Sequence, residues 1–172
     1  FKAYLGRIAA AEAIADPVQR CIAYPALPGI VWTETHIKAH CLYHHEPVLS
    51  LKDMQELANK GDFRTLEAAF ADYQMRHERT ENQSEIIHRA FEQISTKHAG
   101  DFTAAWLAHS PENVFAITAR AEYLRAMAWE ARGGRASADT SKSRFKNMST
   151  IIQQSTPLYQ KAIKLDPKVL PA

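Results

Sequence analysis

No stretch of this sequence approaches the ~20 consecutive apolar residues that a membrane-spanning helix needs, so no spanning segment is expected. Nor does one sign of charge prevail. Lys and Arg number 21 against 19 Asp and Glu, for a formal net charge of +2. The basic residues read as spread along the chain, so nucleic acid is not an expected partner. Cysteine is nearly absent, two in 172 residues, and a chain of this length can bury enough apolar surface to fold without bridges. The two-residue alternation of a half-buried strand is missing throughout, and with it any expected sheet. No nucleophile with a base, carboxylate pair or glycine-rich phosphate loop stands out convincingly, so no catalytic residue is expected.

What is present is helical periodicity broken at regular intervals by caps and breakers. The expected fold is all-α: antiparallel helical hairpins in one domain over 1–172, forming a solenoid or an irregular bundle. Within it, 1–48 is a subregion with an irregular proline-rich segment, and 49–172 holds the hairpins. A helix from Tyr4 to Ala15 is interrupted by Asp16-Pro17 and resumes from Val18 to Tyr24. Tyr24-Pro25-Ala26-Leu27-Pro28-Gly29 is irregular, and Thr33 or Thr35 caps a short helix to about Tyr43. Ser50 and Asp53 form a capping pair ahead of Leu51 to Asn59, which Gly61 ends. Phe63, Leu66, Phe70 and Tyr73 stripe the next helix. Thr80, with Gln83 three residues on, caps another that carries Ile87, Ala90, Phe91 and Ile94.

Phe102, Ala105 and Trp106 then lead to Ser110-Pro111-Glu112, read as the start of a central helix that Gly133-Gly134 closes beside Arg132. That helix is apolar on several sides, from Phe115 and Tyr123 round to Leu124 and Trp129, which predicts burial on several sides. The expected core is Phe70, Phe91, Trp106, Tyr123 and Trp129. A last helix from about Ser141 is expected to kink or restart at Pro157.

Two patterns suggest repetition. Gly61-Asp62-Phe63 recurs as Gly100-Asp101-Phe102 at a helical-repeat period. The closing Tyr159, Ala162, Leu165, Asp166 and Pro167 have the spacing of the second half of a tetratricopeptide repeat, which they resemble, although the large-small pair of the first half falls on Lys142 and Ser143. Asp16-Pro17, Arg20-Cys21, Tyr24-Pro25, Pro28-Gly29, Trp32, Cys41 and the run Ala128-Trp129-Glu130-Ala131-Arg132-Gly133-Gly134 together resemble the bacterial domain-of-unknown-function family 4034. That resemblance implies an all-helical, tetratricopeptide-like protein of Gram-negative bacteria, often with an N-terminal export or anchoring segment, and it brings no catalytic residues. Phe1 in place of an initiator methionine and the abrupt Leu170-Pro171-Ala172 lead us to expect further chain on both sides.

Cys21 and Cys41 admit three readings. A bridge would close a loop of about twenty residues around the proline-rich turn, worth ~3 kcal/mol by chain-entropy arithmetic, and needs an oxidising compartment. Zinc is the alternative: His36, His40 and His44 are four apart on one helical face, and two of them with thiolates such as Cys41 would make a tetrahedral set. Two unpaired buried thiols is the third reading. The function expected is a non-enzymatic helical-repeat module that binds a protein partner without a cofactor, in the periplasm or anchored in the envelope, such as an immunity or escort protein for a secreted toxin. The alternative is a metal-dependent hydrolase using His36, His40 and Cys41, and a cytoplasmic location.

Overall fold

Capping chemistry sets the helix boundaries in the computed structural model, which describes residues 2–26, 29, 31–79 and 85–169. Among the described residues there are nine α-helices and no strand. After α1 (Lys2–Glu12), the Asp16 carboxylate accepts the Gln19 amide at 2.7 Å and Pro17 occupies the first position of α2 (Pro17–Ala23). Thr33 caps α3 (Glu34–His45) through the His36 amide. Ser50 and Asp53 cap each other's amides at the start of α4 (Leu51–Asn59). Gly61, at φ +70°, then turns the chain into α5 (Phe63–Arg79). The expected Thr80 and Gln83 cap lies outside the described residues, and α6 spans Ile86–Glu92. A short 3₁₀ turn leads to α7 (Gly100–His109), followed by α8 (Val114–Arg132) and α9 (Lys142–Leu165).

The described chain forms two units: Phe1–Val48 with Arg76–Ile86, and Leu49–Met75 with Ile87–Ala172. The described residues 76–79 thus belong with the N-terminal subregion. In the first unit α2 lies against α3, and Arg76 pairs with Glu46. The core of the second is aromatic. Phe70 meets Tyr73, Phe91 and Trp106 edge-on at ring distances of 5.9, 5.0 and 5.2 Å. Leu66, Ile87, Ala90, Ile94 and Ile117 are fully buried in the same unit. α8 and α9 make an antiparallel hairpin, as Lys161 reaches Glu112 just ahead of α8, Tyr159 reaches Glu122 at its middle and Arg144 reaches the Arg132 carbonyl at its far end.

Several expectations are corrected. The central helix begins at Val114: Asn113 accepts the amides of both Phe115 and Ala116, a stronger cap than Ser110, which ends α7 instead. Pro157 does not restart α9, which runs through it unbroken; the carbonyl it orphans, on residue 153, lies on an exposed turn where water can serve it. The two Gly-Asp-Phe triplets are not equivalent. Gly61 is a positive-φ turn, whereas Gly100 has helical angles and clears the Tyr123 hydroxyl, which a Cβ would approach to 2.8 Å. Among the expected core residues Phe70, Phe91 and Trp106 are buried and Tyr123 is half-buried, but Trp129 is 50% exposed. The reason is length: α7 begins opposite Tyr123, so α8 outruns it and leaves the Trp129 face open.

Candidate functional site

The proline interruption and the Thr33 cap place α2 and α3 side by side, and this packing brings Cys21 to Cys41. Their Sγ atoms are 2.08 Å apart, at disulfide distance, with Cα atoms 5.6 Å apart. Cys41 is buried and Cys21 half-buried. Against this pair lies a cavity of about 270 Å³, lined mostly by apolar surface from Cys21, Tyr24, Pro25, Trp32, Ile37 and His40. Arg20 holds the approach to α2 by donating to the carbonyls of Ile14 and Ala15. Tyr24 donates to Glu12, and that carboxylate raises the phenol pKa above its ordinary value.

The histidines expected as ligands stand on the outer side of α3. His36, His40 and His44 are exposed. Trp32, His40 and His44 form a chain of ring contacts at 5.0 and 4.4 Å, and Tyr43 meets His44 at 4.9 Å. With its sulfur at bonding distance from Cys21, Cys41 is no longer a thiolate donor, so a zinc ion here would be left with imidazoles alone. No group of three or more His, Cys, Asp or Glu converges among the described residues.

Chemistry elsewhere is equally sparse. His109 Nδ1 lies 2.9 Å from the Ser110 hydroxyl, but its ring stacks on Phe63 at 4.3 Å and no described carboxylate orients it, so the pair lacks the third member of a triad. A second cavity, about 400 Å³, lies between α4 and α7 and is lined by Gln55, Asn59, Asp101 and Phe102. It presents neither a cation nor a buried nucleophile. Gly133 serves as a helix end: its amide donates to the Trp129 carbonyl at φ +80°, ψ 172°.

The site that the fold defines is therefore an apolar pocket braced by a cysteine pair on an all-helical scaffold. No described helix is long and apolar enough to cross a membrane. No protein family, curated protein or solved structure matches the chain.

Proposed function

We propose that the protein is a non-enzymatic helical binding module of an oxidising compartment, the envelope of a Gram-negative bacterium, and that its pocket receives an apolar side chain of a protein partner. One observation carries the reading: Tyr24 and Trp32 line the pocket yet remain 38% and 48% exposed, with Val31 beside them 95% exposed. A folded chain holds such surface open for contact rather than for its own core. The cavity falls just below the ~300–1,000 Å³ usual for small-molecule sites, which suits one large side chain better than a cofactor. The cysteine pair keeps the walls together, and a bridge between the two persists only in an oxidising compartment. A secreted toxin that this module blocks or escorts is the sharper form of the proposal.

A photo-crosslinking residue at position 32, with one at Lys52 as control, tests it in cells. A discrete protein adduct at 32 only, lost in Cys21→Ser, is the expected result; no adduct, or equal adducts at both positions, would sink it. Metal analysis on protein purified without chelator addresses the hydrolase alternative. One zinc per chain, lost in His40→Ala, would move the function to His36, His40 and His44.

A further inference from the structure

In the second unit, Arg132 stands between two aromatic rings, its Cζ 5.4 Å from the Trp129 ring centre and 5.7 Å from that of Phe145. Trp129 is 50% exposed and Phe145 39%. Around them Arg135, Lys142, Arg144 and Lys146 are all exposed. Residues 129–148 hold five of the 21 cations against two carboxylates, a surplus of three in a chain whose net charge is +2, so the net positive charge lies within this stretch. None of the five forms an ion pair with a described carboxylate.

Helix capping accounts for part of this. Arg144 Nη1 donates to the Arg132 carbonyl at 3.4 Å and Arg132 Nη1 to that of Gly133 at 3.3 Å, so two guanidinium groups sit at the negative end of α8. Gly133 admits Arg144, whose Nη1 would lie 2.4 Å from any added Cβ. Capping does not account for the rest. Lys142 and Arg144 occupy the first turn of α9, the positive end of its dipole, with no acidic residue there. Cations at that place are unfavourable by themselves. An added anion relieves the mutual repulsion, and the stacked Trp-Arg-Phe set supplies rigid apolar contact of the kind that dominates protein interfaces.

We propose that this end of the α8–α9 hairpin docks an acidic segment of a protein partner, carboxylates meeting the cations and an apolar residue covering Trp129 and Phe145. The surface is separate from the pocket of the first unit and does not depend on that reading. Its surplus of only three charges suits a short peptide segment better than a nucleic acid, whose binding draws on a longer basic stripe.

The test uses a fluorescein-labelled peptide of about twelve residues built from Glu-Glu-Leu repeats, its Gln-Gln-Leu counterpart, and a labelled single-stranded oligonucleotide of similar length, read by anisotropy. The Glu peptide alone is expected to bind, more weakly as salt rises. Trp129→Ala, and the exposed charge reversals Arg135→Glu and Lys146→Glu, should each weaken binding by about tenfold or more with the melting temperature little changed, while the exposed control Lys52→Glu leaves binding intact. No binding, or equal binding of the Gln peptide, overturns the proposal. Tighter binding of the oligonucleotide overturns it in favour of nucleic acid.

Discussion

Glu122 is only 3% exposed, yet it is well supplied with donors. Arg125 donates to both carboxylate oxygens, at 3.1 and 2.7 Å among its contacts, and Tyr159 adds its hydroxyl from α9. Burial, then the bond to Glu122, pushes the Tyr159 pKa well above its ordinary 10.0. Burial raises Tyr73 as well. A tyrosine whose pKa is higher folded than unfolded contributes stability that is present below the unfolded value and lost as pH rises through the folded one. The protein should therefore lose stability above pH 10, and Tyr159→Phe should flatten that loss, leaving the part due to Tyr73 and Tyr24; urea titrations between pH 8 and 11 would show it. At the acid end Asp53 and Asp62 work in the opposite sense. Hydrogen bonds from Ser50 and Thr65 hold them below the ordinary carboxylate value of 3.8, so their contribution fades as pH falls through that lowered range. Among the tryptophans, Trp106→Ala should cost ~3–5 kcal/mol because the ring is buried against Phe70 and Phe102. Trp129→Ala should cost less than ~1 kcal/mol on its open face, and urea denaturation of both variants would separate them.

Helix ends carry much of what can be adjusted without touching the core. Ser50→Ala removes half of the reciprocal cap at the start of α4 and should cost about 1 kcal/mol by urea denaturation. Pro157 stands exposed inside a continuous α9, where it supplies no amide. Pro157→Ala should therefore stabilise by ~1–3 kcal/mol, and a melting temperature that does not rise would mean the proline has a compensating role. These elements were largely legible because their signals are local. Asp16-Pro17, Thr33, Ser50 with Asp53, and Gly133 each satisfy or end a helix with atoms a few residues away. The start of α8 was misread because two candidate caps, Ser110 and Asn113, stand three residues apart, and Asn113 wins by satisfying two amides. The two Gly-Asp-Phe triplets differ because identical triplets do not fix φ: Gly61 makes a positive-φ turn, whereas Gly100 starts a helix and leaves room for the Tyr123 hydroxyl.

The two units should respond differently to reduction. Both cysteines lie in the first, where the bridge closes a loop of about twenty residues, so Cys21→Ser with Cys41→Ser should destabilise that unit by ~3 kcal/mol. Hydrogen exchange, which resolves local opening, should show faster exchange in α2 and α3 while the α5, α7 and α8 amides around Trp106 stay protected; equal loss in both units would show that they unfold together. Of the candidate sites, the cysteine pair was legible as one of three readings, because two cysteines have one intramolecular partner each but carry no local sign of bridge, zinc or free thiol. The exposure of Tyr24 and Trp32 around a cavity was not, since an aromatic near a proline-rich turn reads the same whether covered or open. The sequence by itself determined the all-helical class and most helix ends, because capping and 3.6-residue periodicity act within a turn or two of chain. Only the tertiary structure decided which faces stay uncovered, Trp32 beside its pocket and Trp129 beyond the end of α7. Exposure depends on helix lengths and packing partners far away in sequence, and no local pattern encodes them.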